Sequence, residues 1–232
     1  YRTLAADLAE RGWAVALPDL RGHGRTEGPR GHSNGLREVA RDVQEIQDHL
    51  AYRMPEEPKV LIGVGLGANY AAMYARETPG VVSALVLVAP LHEPRFEAPE
   101  APKGLSKFFK KITGESEGAT GYGPDALTSA AAQATAWSAS ELTHEVITQR
   151  AIEEAERSAR EHLPAVGDLG IPVLVVHGSD DPISGADRSR ALESEAVEVL
   201  IVEGQRHHPL HDTKSAEIRE RIVRFIDERA GG

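Results

Sequence analysis

Short apolar runs alternate with amphipathic stretches along most of the chain, and this alternation restricts the fold more than any other feature of the sequence. Unbroken runs of Val, Leu and Ile are typical of parallel strands that are buried on both faces, and amphipathic segments between them would cover those faces as helices. Strands are predicted at residues 14–17, 60–63, 83–88, 173–176 and 197–202. The pattern therefore predicts an α/β protein with a mostly parallel sheet and helices on both faces.

Four amphipathic stretches predict helices, and one long segment breaks the alternation. The helices are expected at residues 1–11, 36–52, 69–76 and 215–228, the last burying Ile218, Ile222, Phe225 and Ile226. Residues 91–166 contain no strand candidate, so we predict a single domain over residues 1–232 in which this segment forms a helical cap. Its predicted parts are 105–112, 125–137 and a charged helix at 141–162. A lid over a site and a purely structural cap would share this pattern.

The charge and the composition exclude several kinds of partner and site. The 232 residues include 26 basic and 36 acidic side chains, so the net charge of −10 disfavours nucleic acid as a partner. Hydrophobic residues make up 41% of the chain, which can form a core, but no apolar run approaches the roughly 20 residues of a membrane span. The lack of cysteine excludes disulfides and thiolate metal sites. We expect a soluble globular protein with a cytoplasmic location.

A glycine-rich turn directly after the second predicted strand is the strongest local signal. Gly63, Gly65 and Gly67 alternate through it, and a helix is predicted to follow. Glycines at the first and last positions allow a sharp strand-to-helix turn that presents the central residue beside the helix N-terminus. In a nucleophile elbow that central residue is serine, whereas here it is Gly65. The serines nearest the motifs are Ser33, Ser83, Ser179 and Ser184, and none is predicted to lie on such an elbow.

The same glycines also match part of a dinucleotide-binding fingerprint, because Gly63 and Gly65 are followed by Ala68 at the third position. That fingerprint requires an acidic residue at the end of the next strand, where it would bind the ribose. The predicted strand at 83–88 is followed by residues 89–92, which read Ala-Pro-Leu-His. Nucleotide binding is therefore disfavoured, and we predict no cofactor.

Asp181 and His207 follow the last two predicted strands. Because parallel strands end at one edge of a sheet, the Asp181 carboxylate could orient the His207 imidazole, which could accept a proton from a nucleophile. A metal cluster of His207, His208 and His211 with Asp212 is the alternative interpretation of this loop. It lacks a second set of ligands at zinc-like spacing, so we predict no metal.

Several motifs together resemble the monoacylglycerol lipase-like α/β hydrolases, also called serine aminopeptidase-like hydrolases. Residues 21–32, RGHGRTEGPRGH, contain the two Gly-His pairs that such proteins carry after their fourth strand. The elbow, SELTH at 140–144, HGSDD at 177–181 and EGQRH at 203–207 follow in the family's order. The resemblance covers nearly the whole chain. It implies an α/β-hydrolase fold with a cap, and lipase, lysophospholipase or esterase activity on a small lipophilic ester.

The resemblance also implies roles for individual residues. Asp181 and His207 would be the acid and base of a Ser-Asp-His triad, and the backbone N–H of Leu66 would form one half of the oxyanion hole. The nucleophile does not carry over because Gly65 has no side chain, so we predict that this chain is inactive or nearly so. The alternative is a non-catalytic homologue that binds a ligand or a partner. A third, weaker alternative is residual hydrolysis, in which His207 activates a water molecule directly. The cap could also make transient contact with a membrane.

The beginning of the chain departs from the family pattern. Tyr1 aligns with the start of the helix that follows the family's third strand, and the His-Gly loop that supplies the second oxyanion donor precedes that helix. Without the third strand, residues 14–17 would face a gap beside residues 60–63 and leave backbone groups unpaired. We therefore expect roughly 30 to 50 further residues upstream.

Overall fold

A parallel sheet forms the centre of the described chain, which in the computed structural model comprises residues 1–33, 35–93, 96 and 117–230. Its strands are β1 (Val60–Val64), β2 (Ala84–Val88), β5 (Val173–Gly178) and β6 (Val197–Val202). They lie in the order β1-β2-β5-β6, and all neighbours pair in parallel. Four of the five predicted strands are thus present, and the predicted α/β fold class is confirmed.

Helices lie on both faces of this sheet, and three more lie in the described part of the segment between β2 and β5. In chain order they are α1 (Arg2–Glu10), α2 (Leu36–Arg53), α3 (Leu66–Glu77), α4 (Pro124–Leu127), α5 (Ala131–Ala139), α6 (Gln149–Glu161), α7 (Asp187–Arg190) and α8 (Ser215–Arg229). Short 3₁₀ helices lie at Leu163–Asp168 and Pro209–His211. Within the described ranges, no helix combines the length and the apolar character that a membrane span requires.

The two faces of the sheet pack against different helices. Along β2, Ala84, Val86 and Val88 point to one face, where they join Leu4 and Leu8 of α1 and the buried side of α8. Leu85 and Leu87 point to the other face and pack against Ala71, Ala72 and Ala75 of α3. Because successive strand side chains alternate between faces, an apolar strand such as β2 must be covered on both sides. Every residue of β2 is buried as a result.

The prediction of a strand at residues 14–17 is wrong. These residues form no strand and are exposed, with Val15 at 38% and Leu17 at 51% of their full accessible surface. The segment lies across a groove from β1, whose backbone pairs with β2 on one side only. An apolar run needs a hydrogen-bonded neighbour to become a strand, and the described chain supplies none at this edge.

The segment between β2 and β5 contains a feature that the sequence did not reveal. Antiparallel strands β3 (Glu117–Ala119) and β4 (Val146–Thr148) form a small second sheet, so the prediction of a segment without strands is wrong. The predicted helix at 125–137 is two helices, α4 and α5, and the predicted helix at 141–162 begins only at Gln149 of α6. The predicted stretch 105–112 lies outside the described residues.

Buried hydrogen bonds connect this cap segment to the rest of the fold. The N–H of Thr148 in β4 donates to the carbonyl of Gly31 over 3.1 Å, and the Thr148 hydroxyl lies 3.1 Å from Nδ1 of His32. In α3, the fully buried Asn69 bonds both the N–H and the carbonyl of Leu91 over 2.9 Å, and its own carbonyl accepts from Ser158 of α6. These contacts hold the segment between β2 and β5 against α3 and against the loop that contains Gly31 and His32.

Candidate active site

The turn between β1 and α3 is as sharp as its glycines predict. Gly65 has φ +57° and ψ −125°, a conformation that L side chains rarely adopt. A Cβ on Gly63 would lie 2.5 Å from Cα of Ala68, so this position tolerates no side chain. As the first residue of α3, Leu66 has an N–H with no partner inside the helix, and this group lies at the helix end that favours negative charge. The geometry is that of a nucleophile elbow.

Asp181 and His207 come together in the structure, as the sequence predicts. They lie on the loops after β5 and β6. The two strands end at the same level of the sheet, because their last residues, Gly178 and Val202, are paired. The two loops approach closely at Gly178, where a Cβ would lie 2.6 Å from the carbonyl oxygen of Arg206. Nδ1 of His207 is 2.7 Å from Oδ2 of Asp181. Both side chains are buried, with 5% of His207 and 7% of Asp181 exposed.

The Asp181 carboxylate accepts four hydrogen bonds. Oδ1 accepts from the N–H groups of Ile183 (2.8 Å) and Ser184 (3.1 Å), and Oδ2 accepts from His207 and from Nε2 of His177 (2.9 Å). Burial by itself raises the pKa of Asp181, but the hydrogen bonds from His177 and His207 outweigh that effect and the net pKa is lowered. The carboxylate is therefore ionised at neutral pH and can stabilise a protonated His207.

The free nitrogen of His207 faces the elbow. With Nδ1 directed to Asp181, Nε2 makes no hydrogen bond within the described residues and lines the cavity above Gly65. A Cβ built on Gly65 would lie 3.4 Å from this nitrogen. That separation is ordinary contact, so a small side chain at this position would place its next atom within reach of Nε2. His207 thus lies between Gly65 and Asp181 and contacts both positions.

An apolar cavity opens from this arrangement. Its volume is about 1530 Å³, and it continues into the groove between residues 13–18 and β1. Near the elbow its walls are Leu66, Leu91, Phe96, Tyr122, Trp137 and Ile183. The segment between β2 and β5 also contacts the loop that carries His207, since the N–H of His208 donates to the carbonyl of Leu127 in α4 over 2.8 Å. A ligand in this cavity would be mostly surrounded by apolar side chains, with the polar groups at one end.

Further polar and aromatic residues near these motifs have local roles or line the cavity. Nδ1 of His23 contacts the carbonyl of Arg21 at 3.0 Å. Trp137 packs with Leu127 and Ile183, whereas Phe108 lies outside the described residues. The hydroxyls of Ser33, Ser83, Ser179 and Ser184 all bond neighbouring loops or strand ends.

His208 and His211 lie beside His207 without forming a metal centre. The ring centroids of His207 and His208 are 5.5 Å apart, and those of His208 and His211 are 6.4 Å apart. Burial, followed by the neighbouring His207 and His211, lowers the pKa of His208 to about 3, so it is neutral at pH 7. Across the described ranges, no three histidine or carboxylate side chains are arranged to hold a metal ion.

The sequence analysis missed His177. This histidine is the next-to-last residue of β5, is fully buried and donates to the Asp181 oxygen that also contacts His207. The sequence could have indicated a role for His177 by its position, because it is the only polar side chain in an otherwise apolar buried strand. A buried polar side chain requires a partner, and Asp181 follows four residues later.

The chain matches a known family and several named proteins. The family described as "Serine aminopeptidase, S33" matches residues 1–214. Monoacylglycerol lipase of Mycolicibacterium smegmatis is 24% identical over 231 residues, covering 97% of this chain and 82% of that protein. Monoglyceride lipase of Mus musculus is 32% identical over 91 residues, which cover 39% of this chain and 30% of that protein.

Solved structures share the fold at low identity. The monoacylglycerol lipase of Paleococcus ferrophilus superposes with a TM-score of 0.80 at 21% identity, covering 99% of this chain and 89% of the other. A carboxyl esterase from Bacillus coagulans superposes with a TM-score of 0.79 at 18% identity, covering 99% and 85%. Both the motif order and the elbow geometry agree with the family match, which extends over nearly the whole sequence. The chain therefore belongs to the serine aminopeptidase S33 family and has the α/β-hydrolase fold.

Proposed function

We propose that this chain carries the carboxylic ester hydrolase site of its family with glycine at the nucleophile position, and that it is inactive or nearly so as written. Asp181 is the acid, His207 is the base, and the N–H of Leu66 is one oxyanion donor. The elbow is retained although its nucleophile is absent. The observation that carries the proposal is the 3.4 Å separation between a Cβ built on Gly65 and Nε2 of His207.

The proposal predicts a complete reaction for the variant Gly65→Ser. Nε2 of His207 would take the proton of the introduced hydroxyl while its oxygen attacks the acyl carbonyl carbon, and the oxyanion would accept from the N–H of Leu66. Collapse would break the ester bond, and the alcohol would leave with the proton held by His207. Water would then give a proton to Nε2 of His207 and attack the acyl carbon; the bond to the serine oxygen would break, that oxygen would take the proton back, and the carboxylic acid would leave. Asp181, ionised and held by four donors, would stabilise the charged His207 at each step.

The cavity supports a lipophilic acyl group as the substrate class. Leu66, Leu91, Trp137 and Ile183 line the space directly above the elbow, and burial of apolar surface there would favour a hydrocarbon chain. The names of the relatives, among them monoacylglycerol lipase and carboxyl esterase, agree with an acylglycerol or a similar ester. We propose the small lipophilic ester as the ligand and the cap as the part that selects among acyl chains.

The test compares hydrolysis of p-nitrophenyl butyrate and p-nitrophenyl palmitate by the unchanged protein and by three variants. Gly65→Ser is expected to raise turnover at least about 10³-fold, because it restores covalent catalysis where the acid, the base and one oxyanion donor are already in place. Gly65→Ala is the matched control, since it adds the same Cβ without the hydroxyl. Adding His207→Ala to Gly65→Ser should remove the gained activity.

Each outcome of this test has a definite meaning. Turnover by Gly65→Ser that survives His207→Ala would contradict the assignment of the base. A folded Gly65→Ser protein without turnover on either ester would favour the alternative, a non-catalytic homologue that binds a ligand. Turnover by the unchanged protein equal to that of Gly65→Ser would show that the hydroxyl is not the nucleophile and would favour water activated by His207.

A further inference from the structure

We infer that His177 is a positioning residue for the acid–base pair: by holding Oδ2 of Asp181 it makes His207 donate through Nδ1 and present an unprotonated Nε2 to Gly65. His177 touches neither the cavity nor the elbow, so it would act entirely through Asp181. The inference deepens the proposed function, on whose acid and base it rests. Its first test needs no catalytic turnover.

The partners of His177 determine which of its nitrogens carries the hydrogen. Nε2 lies 2.9 Å from Oδ2 of Asp181 and 2.6 Å from the carbonyl oxygen of Ser184. An ionised carboxylate and a carbonyl can both accept a hydrogen bond but cannot donate one, so Nε2 must be the protonated nitrogen. When the ring carries its single hydrogen on Nε2, Nδ1 accepts the hydroxyl hydrogen of Ser189 over 2.8 Å.

The same reasoning extends this hydrogen-bond network from Asp181 and His177 to His92. The hydroxyl of Ser189 donates to His177, so its oxygen is free to accept from Nε2 of His92, 2.8 Å away. Burial, followed by His177 and Arg188, lowers the pKa of His92 to about 4, and His92 is therefore neutral at pH 7. Each hydrogen between His92 and Asp181 then points toward the carboxylate. This hydrogen-bond network starts at His92 in the loop after β2, includes Ser189 of α7 and ends at Asp181.

The geometry at Asp181 shows why this second histidine matters. Both imidazoles donate to the same oxygen, His207 at 2.7 Å and His177 at 2.9 Å, while the backbone N–H groups of Ile183 and Ser184 occupy the other oxygen. Without the His177 donor, the buried Oδ2 would keep one partner, and the carboxylate could rotate to improve its bonding. Rotation would move the acceptor that sets the tautomer of His207.

The test uses selective ¹⁵N labelling of histidine and two substitutions of equal chemistry. The amide of His177→Gln reaches the position of Nε2 and can donate to Asp181, whereas that of His177→Asn ends near Nδ1 beside Ser189 and cannot. In the unchanged protein and in His177→Gln, long-range ¹H–¹⁵N spectra are expected to show His207 as the Nδ1–H tautomer. In His177→Asn this resonance is expected to broaden or to divide between tautomers. His162 is a buried histidine outside this hydrogen-bond network, so His162→Asn should leave the His207 resonance unchanged.

Several results would overturn the inference. The first requires no substitution: if His177 in the unchanged protein is protonated at Nδ1 and not at Nε2, it cannot hold Asp181. Retention of the His207 signal in a folded His177→Asn protein, or its loss in a folded His177→Gln protein, would also contradict it. These readouts are independent of Gly65, so they separate a failure of this inference from a failure of the proposed function.

A kinetic test follows if Gly65→Ser is active. In that background His177→Asn is expected to lower kcat about tenfold or more with KM changed less than about twofold, because the change disturbs orientation of the base and not substrate contact. His177→Gln should recover most of kcat. Equal losses in both variants, or a loss confined to KM, would contradict a positioning role.

Discussion

Gly63 and Gly67, at the two ends of the elbow, differ in the space around them. A Cβ on Gly63 would lie 2.5 Å from Cα of Ala68, against backbone that cannot yield, whereas a Cβ on Gly67 meets no atom within 4 Å. We expect Gly63→Ala to destabilise the fold by about 1–3 kcal/mol through overpacking. Gly67→Ala, inside α3, should be neutral or stabilise by up to about 1 kcal/mol. Urea unfolding of both variants checks the pair, and equal free energies of unfolding would refute the elbow geometry.

At the same scale, the sequence predicts the visible members of the candidate site but not the residue behind them. Gly65, Asp181 and His207 belong to motifs at strand ends, and parallel strands bring such ends to one edge. His177 lies inside a strand, where its contacts depend on how the β5 and β6 loops fold over it. Its bond to Asp181 follows from three-dimensional packing, and the sequence alone shows only that a buried histidine needs a partner.

At the scale of elements, strand β4 of the cap packs against the loop that carries the two Gly-His pairs. Gly31, with φ +64°, has its ideal Cβ position 2.6 Å from the carbonyl carbon of Val146 and 2.9 Å from Cα of Ile147. We expect Gly31→Ala to push β4 away from this loop. The bond from the Thr148 N–H to the Gly31 carbonyl should weaken, and exchange of that amide should accelerate about tenfold.

The control for this prediction is Gly204→Ala. Gly204 has a similar φ of +76° but no atom within 4 Å of its ideal Cβ, so alanine there adds backbone strain without a clash. Hydrogen exchange followed by NMR would compare the Thr148 amide with that of Val175 in β5. Acceleration at Thr148 in Gly31→Ala alone supports the docking contact. The same rate at Thr148 in both variants would show that the contact does not hold β4.

The cap also shows where periodicity stops being informative about elements. Its strands β3 and β4 have three residues each, which is shorter than the runs that alternation can identify, and they pair across a long stretch of sequence. The beginning of α6 is set by Thr148, whose hydroxyl accepts from the N–H of Ala151. Charged residues continue upstream of this helix N-cap. The charge pattern alone therefore placed the start of the helix too early.

For the whole molecule, apolar runs identify strands correctly where the sheet supplies at least one neighbouring strand. Strands β2 and β5 are central, are fully buried and appear where predicted. The run at residues 14–17 has the same character, but it lies beyond the open edge of β1 and forms no strand. Composition therefore predicts the potential for a strand, while the sheet decides whether its backbone groups are satisfied.

Two partly buried histidines make the stability of the whole fold depend on pH. Desolvation of the charged imidazole is the main cause that lowers the pKa of His92 to about 4 and that of His208 to about 3. In the unfolded chain both titrate near pH 6.5. Between these values the unfolded state binds more protons than the folded state, so the free energy of unfolding falls as the pH drops below about 6.5. Above that pH both states are neutral at these positions, and the stabilisation is complete.

Replacing His208 should reduce this dependence by a definite amount. Its lowered pKa is expected to cost about 2 kcal/mol of stability between pH 7 and pH 5. His208→Gln keeps a polar side chain but removes the titration. The free energy of unfolding that this variant loses between pH 7 and pH 5 should therefore be smaller by about this amount. His49→Gln, at an exposed position on α2, should follow the unchanged protein. Urea unfolding at pH 7, 6 and 5 measures the three profiles. Parallel profiles for His208→Gln and the unchanged protein would mean that His208 accepts its proton in the folded state, and burial would then not hold it neutral.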